Sequence, residues 1–88
     1  MRNNTIPVIQ PGLFVIMQRF PQYRDALRHL YLNNESFQTI CDDYRKCSNA
    51  LSHWTQSKHE EAPERCSEYL GLLRDLESEI KQSLGESH

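Results

Sequence analysis

The chain has 88 residues, of which 38% are apolar and 25% are charged, and this composition is that of one small globular domain rather than a disordered chain. The formal net charge of -2 is uneven, because residues 60–88 contain three Lys or Arg against eight Asp or Glu. No part of the sequence gathers a continuous basic surface, so duplex nucleic acid is excluded as a partner on electrostatic grounds.

The cysteines and the apolar runs indicate a cellular compartment. Cys41, Cys47 and Cys66 form no C-x-x-C pair, and an odd number of cysteines is not typical of a disulfide-bonded secreted domain. No signal peptide is indicated, because polar residues follow Arg2 and prolines interrupt the next apolar stretch. The longest apolar run, Leu13–Met17, is too short to span a bilayer. We therefore expect a cytoplasmic protein that does not associate with membranes.

Residues 1–20 are predicted to form an N-terminal arm that is partly extended, because two prolines and a glycine interrupt its first twelve positions. From Leu13 to Phe20 the apolar residues have the spacing of a short helix, although the central run Phe14–Ile16 would equally suit a strand. No second strand is evident to pair with this run. A helix or ordered coil is therefore favoured for the second half of the arm.

A short helix is predicted next, over residues 22–32. Pro21 suits the first turn of this helix, where its missing N–H group is no loss. The apolar pattern stops at two asparagines. We assign Asn33 to a left-handed C-cap of this helix and Asn34 to the N-cap of the following one.

The longest apolar pattern of the chain runs from Glu35 to His59 and predicts a helix of about 25 residues. Its apolar residues recur at alternating steps of three and four, which places them on one stripe of an α-helix. The stripe consists of Phe37, Ile40, Tyr44, Cys47, Leu51 and Trp54. The positions beside it are mostly small, whereas a two-stranded coiled coil usually has long charged residues there. This helix is therefore expected to contact two or more neighbouring helices.

The last helix is predicted to begin at Pro63, because proline suits a first helical turn and disfavours helical geometry in the residue before it. A broad apolar face then continues to Leu84, and Gly85 is the expected stop. Gly71 interrupts that face at a cost of ~1 kcal/mol relative to alanine, and a glycine there is compatible with a close approach of another helix. Residues 86–88 are expected to fray.

These elements predict an all-α fold, in which an antiparallel hairpin of two long helices follows the arm and the short helix. Residues 21–85 would form a single helical-hairpin domain. Two long helices and one short helix cannot enclose a core this wide, so a second copy of the chain is expected to complete a helical bundle as a homodimer. The residues expected at this interface are Phe37, Ile40, Tyr44, Cys47, Leu51, Trp54, Tyr69, Leu73, Leu76 and Ile80.

Catalytic and metal-binding patterns are missing from the sequence. His53 and His59 are six residues apart and therefore lie on different faces of a helix, and no pair of residues has the spacing of zinc ligands. Cys47 has no base near it in the sequence that could activate it as a nucleophile. We therefore predict a protein that is not an enzyme and that binds no metal and no cofactor.

The expected function is self-association, or docking to a partner protein, through the apolar helix faces. An alternative from another class is a helical bundle that binds a small molecule or a redox ligand. Its pocket would be lined by Tyr44, Cys47, Trp54 and Tyr69.

The run FPQYRD at residues 20–25, followed by Phe37 in a second helix and by a third amphipathic helix after a short break, resembles the small YdcH/SlyX-type bacterial proteins. The resemblance covers roughly residues 20–84. This chain departs from that family in its acidic last helix and in lacking a His-x-x-Leu-Asp segment in the second helix. The resemblance implies a helical hairpin and a bacterial cytoplasmic location, and it implies no chemistry, because the function of those proteins is unknown.

Overall fold

Four α-helices make up most of residues 11–85, the part of the chain that the computed structural model describes. They are α1 (Pro11–Arg19), α2 (Arg24–Asn33), α3 (Glu35–Thr55) and α4 (Ala62–Ser83), and a 3₁₀ turn (Pro21–Tyr23) connects α1 to α2. These residues contain no β-strand, and the predicted all-α class is confirmed. None of these helices is sufficiently long and apolar to cross a membrane.

Helix α1 corrects the predicted N-terminal arm. Pro11 and Gly12, which we expected to be irregular, form the first turn of α1, where proline is well tolerated. Leu13, Ile16 and Met17 are buried in this helix, so residues 11–20 belong to the packed domain rather than to an arm. The helical interpretation of Leu13 to Phe20 agrees with the structure. Residues 1–10 and the tail predicted to fray lie outside the described residues.

The junction between α2 and α3 confirms one predicted cap and corrects the other. The side-chain oxygen Oδ1 of Asn34 accepts a hydrogen bond of 3.1 Å from the backbone N–H of Phe37, as expected of an N-cap. Asn33 is the last residue of α2 and is not left-handed, since no non-glycine residue between positions 11 and 85 has a positive φ. Its side-chain amide instead donates to the carbonyl of His29 at 2.8 Å.

Helix α3 ends at Thr55, four residues before the predicted His59. The last turn tightens, because the backbone N–H of Ser57 bonds the carbonyl of Trp54 three residues back, at 3.1 Å. The Ser57 hydroxyl then accepts a hydrogen bond from the N–H of His59. Serine side chains that bond nearby backbone groups offer the chain an alternative to continuing a helix, and periodicity alone does not detect this competition.

Helix α4 begins one residue before Pro63 and ends as predicted, with Gly85 just beyond it at a φ of 77°. Gly71 does not mark a close helix approach, because a Cβ built there would have no other atom within 4 Å. The close approach is at Gly12 instead. A Cβ at Gly12 would overlap the carbonyl oxygen of Cys41 and lie 2.7 Å from the carbonyl carbon of that residue.

Helices α3 and α4 make the most extensive helix–helix contact among the described residues. Thr55 Oγ1 lies 3.7 Å from Cys66 Sγ near the connecting loop, and the Tyr44 hydroxyl donates to Glu77 Oε2 at 2.6 Å, eleven residues further from the loop along each helix. Residues that come later in α4 therefore contact residues that come earlier in α3.

The buried core lies at the end of this helix pair that is remote from the connecting loop. It consists of Leu13, Ile16, Met17, Phe20, Leu27, Phe37, Cys41, Tyr44, Leu73 and Ile80. The described body is flat, with principal extents of 51 × 41 × 21 Å and a radius of gyration of 15.0 Å. A compact domain of this size would have a radius of gyration of about 12 Å, so the fold leaves broad helix faces outside its core.

Candidate docking surface

The ten residues predicted at an interface separate into two groups in the structure. Phe37, Tyr44, Leu73 and Ile80 are buried by the chain itself, because α1 and α2 supply the neighbours that the sequence led us to seek in a second copy. These four residues therefore belong to the intramolecular core. The other six are half-buried: Ile40, Cys47, Leu51, Trp54, Tyr69 and Leu76.

Helices α3 and α4 form a layer with two faces, and α1 covers one of them. Gly12 of α1 packs on the backbone of Cys41, and Arg19 at the other end of α1 bonds Glu77 of α4. Cys41 precedes Tyr44 by three residues and Cys47 follows it by three, so the two cysteines lie on opposite flanks of α3. Cys41 is buried beneath α1, whereas Cys47 is half-buried on the flank that α1 leaves uncovered.

We call this uncovered flank of the layer the open face. On α4 it begins with Leu72, which is 48% exposed and lies roughly 160° around the helix from Leu70, itself 44% exposed. Four half-buried side chains on this side also pack against the core at their inner edge: Ile40, Cys47, Leu51 and Leu76. The open face consists of Cys47, Leu51, Trp54, Tyr69, Leu72 and Leu76.

A groove of about 450 Å³ runs along the open face between α3 and α4. Its apolar floor is formed by Cys47, Leu72 and Leu76. Its rim carries three carboxylates and one ammonium group: Asp43, Asp75, Glu79 and Lys46. The ammonium group of Lys46 already pairs with Asp42 at 3.1 Å, so the rim of the groove is acidic.

Leu72 is the residue of this surface that we did not predict at an interface. It lies at one edge of the broad apolar face predicted for α4, and Leu70 lies at the opposite edge of that face. The sequence does not show which flank of the layer α1 covers, because it predicts residues 1–20 to form an arm. Two further large apolar side chains are exposed elsewhere, Phe14 at 47% and Leu32 at 71%.

Three side chains from three helices form a polar cluster at the edge of the core. Glu77 accepts hydrogen bonds from Arg19 Nε at 2.9 Å and from the Tyr44 hydroxyl at 2.6 Å. Burial opposes ionisation of Glu77, but the bonds from Arg19 and Tyr44 outweigh it and hold the pKa of this carboxyl below its ordinary value of 4.5. Burial, together with the bond to Glu77, raises the pKa of Tyr44. The cluster joins α1 to the α3–α4 layer and does not open onto a cavity of the open face.

The lowered pKa of Glu77 predicts a specific loss of stability in acid. A carboxyl whose folded pKa lies below its unfolded pKa stabilises the fold above the unfolded value, near 4.5, and this contribution is lost as the pH falls through the folded pKa. Urea unfolding at pH 7 and pH 3 should therefore show a larger drop in the free energy of unfolding for wild type than for Glu77→Gln. An equal drop in the two proteins would contradict this role of Glu77.

The cysteines and histidines form no assembled chemical site. Burial raises the pKa of the Cys41 thiol to about 12, and burial beside Asp43 also raises the pKa of Cys47, so both thiols hold their protons. Between residues 11 and 85, no three His, Cys, Asp or Glu side chains are grouped as metal ligands. His53 and His59 instead make edge contacts with the Trp54 ring, with centroids 5.4 and 6.3 Å away.

The pocket of the alternative prediction is not assembled from its four residues. Tyr44 is buried with its hydroxyl bonded to Glu77, and Cys47 lines the open-face groove. Trp54 lines a different depression of about 320 Å³ beside the loop that connects α3 to α4. Tyr69 is half-buried.

Comparison of the chain with protein-family models, with curated proteins and with solved structures gives no match in any of the three. The resemblance to the YdcH/SlyX-type proteins therefore stays a prediction.

Proposed function

We propose that this protein is a non-catalytic interaction module of the cytoplasm that binds another protein chain through the open face. The preferred occupant is a second copy of the same chain, which gives a homodimer. In this proposal α3 and α4 act as an antiparallel hairpin whose second face is completed on association, within an oligomeric helical bundle. Neither nucleic acid nor a membrane takes part.

One observation carries the proposal: the α3–α4 layer has apolar side chains on both faces, and α1 packs on only one of them. The exposed Leu72 lines one groove together with the half-buried Cys47 and Leu76, and contiguous apolar patches mark interaction sites more often than isolated exposed leucines do. Full burial of a large apolar side chain stabilises an assembly by about 1.5–3 kcal/mol. Several half-buried side chains that become covered together therefore supply a driving force for association.

Leu72→Asp should abolish self-association, because it introduces a charge into the apolar contact. Leu70→Asp is the matched control, since Leu70 is equally large and similarly exposed on the opposite flank of the same helix. In sedimentation velocity over 1–100 µM protein, wild type and Leu70→Asp should dimerise in a concentration-dependent manner. Leu72→Asp should sediment as a folded monomer.

Two results would contradict the proposal. One is wild type that sediments as a monomer throughout this concentration range. The other is a dimer that Leu70→Asp disrupts and Leu72→Asp leaves intact, which would place the interface on the flank that carries α1. Circular dichroism on each variant establishes that its helices are retained.

A further inference from the structure

We propose that helix α2 of a second copy occupies the groove of the open face. This inference rests on the proposed function, and it identifies which part of the second copy makes the contact. In a two-fold dimer, each α2 lies in the groove of the other chain.

Helix α2 presents a ridge that the fold of a single chain does not use. Arg24, Arg28 and Leu32 follow one another at steps of four residues, so they form one continuous row along the helix. Leu32 is 71% exposed, more than the other large apolar side chains on the surface of residues 11–85. Both arginines are exposed, and within those residues neither guanidinium forms a salt bridge or a side-chain hydrogen bond.

The groove presents the complementary groups. Asp75 and Glu79 are exposed on its rim, and among residues 11–85 neither carboxylate has a salt bridge. They are separated by four residues, as are Arg24 and Arg28, which corresponds to about 6 Å along a helix axis in both pairs. Leu72 lies one turn before Asp75, at the end of the groove where it is 48% exposed.

The spacing of these groups also indicates how α2 is oriented relative to α4 of the other chain. If α2 lies antiparallel to α4 of the other chain, Arg24 meets Glu79, Arg28 meets Asp75, and Leu32 meets Leu72. The row on α2 spans about 12 Å and the row on α4 spans about 10.5 Å, so the two rows are of similar length. Arginine paired with carboxylate at a partly desolvated edge contributes specificity in addition to the apolar contact.

Direct packing of one open face on another is electrostatically less favourable than binding of α2 to the open face. Each rim carries Asp43, Asp75 and Glu79 against the single ammonium of Lys46, which is already paired with Asp42. An isologous contact between two such rims places like charges together, whereas the ridge of α2 brings two unpaired cations. The charge pattern therefore favours α2 as the occupant over a symmetric four-helix bundle.

Charge reversal tests this pairing. The variant Arg24→Glu/Arg28→Glu and the variant Asp75→Lys/Glu79→Lys should each weaken dimerisation at least tenfold in sedimentation equilibrium. The chain with all four substitutions should regain dimerisation to within about threefold of wild type, because the reversed charges again complement each other. Lys58→Glu/Arg74→Glu is the control, since both side chains are exposed and unpaired among residues 11–85 and the change in net charge equals that of the α2 variant.

The outcomes separate this inference from the proposed function. Wild type that is monomeric at 100 µM overturns both. A dimer that Leu72→Asp disrupts but the α2 variant leaves unchanged keeps the open face as the interface and overturns α2 as its occupant. Loss of dimerisation in both double variants without recovery in the fourfold variant also overturns the pairing of these residues. Circular dichroism identifies any variant that has unfolded. For such a variant the neutral substitutions Arg24→Gln/Arg28→Gln or Asp75→Asn/Glu79→Gln replace the charge reversals and should also weaken dimerisation.

Discussion

Replacing Phe37 with alanine is expected to lower the free energy of unfolding by about 3–5 kcal/mol, an amount comparable with the whole stability of a small domain. Phe37 has 0% exposure and is the largest of the fully buried side chains. It lies in the first turn of α3 and belongs to the core to which α1, α2 and α4 also contribute, so alanine would leave a cavity in that core. The chain should be largely unfolded at 37 °C.

Phe14→Ala is the matched control for this substitution, because Phe14 is the same residue type but is 47% exposed. Its replacement should cost less than about 1.5 kcal/mol, since little buried volume is lost. Chemical denaturation followed by circular dichroism, at one fixed protein concentration, measures both changes. A Phe37→Ala protein that unfolds at the same denaturant concentration as Phe14→Ala would show that Phe37 is not in a packed core.

Replacing Gly12 with alanine should destabilise the protein by about 1–3 kcal/mol, although alanine is the better helix former. The added methyl group would overlap the backbone carbonyl of Cys41, and backbone atoms in the middle of α3 cannot move aside as a flexible side chain can. Helix α1 would have to shift away from α3. Leu13 and Ile16, both buried at this contact, would then lose part of their packing.

Gly71→Ala is expected to have the opposite effect and to stabilise the chain by about 0.5–1 kcal/mol. A Cβ at Gly71 meets no other atom within 4 Å, so only the gain in helix propensity remains. Thermal unfolding of both variants and of wild type shows directly whether each substitution raises or lowers the melting temperature. A stabilised Gly12→Ala protein would show that α1 does not pack on the backbone of α3.

Much of the fold could be predicted from local chemistry. Asn34 and Gly85 were correctly assigned to helix ends, because each has a side-chain or backbone property that a cap requires. The irregular conformation predicted at Pro11 and Gly12 was wrong. Proline and glycine often interrupt regular structure, but proline also suits a first helical turn and glycine also permits a close contact between helices. The structural role of Gly12 depends on its contact with α3, about thirty residues away in the sequence, so no local pattern could reveal it.

The candidate docking surface could be predicted only in part, for the same physical reason. The stripe from Phe37 to Trp54 follows from helical periodicity, and all of its residues are at least half-buried. Periodicity does not show which flank of the stripe is covered within the chain. Because α1 covers the flank with Cys41, the flank with Cys47 is the open one, and on α4 Leu72 is exposed beside it whereas Leu73 is buried.

The most direct test of a self-associating open face is a native mass spectrum of the full chain at about 20 µM. We expect a species of twice the monomer mass of 10.4 kDa that carries no added ligand, and its replacement by monomer in Leu72→Asp. A monomer that retains a small molecule would contradict the proposal and favour the ligand-binding alternative. A bare monomer at this concentration would contradict it equally, since the open face would then be stable in water without a second copy.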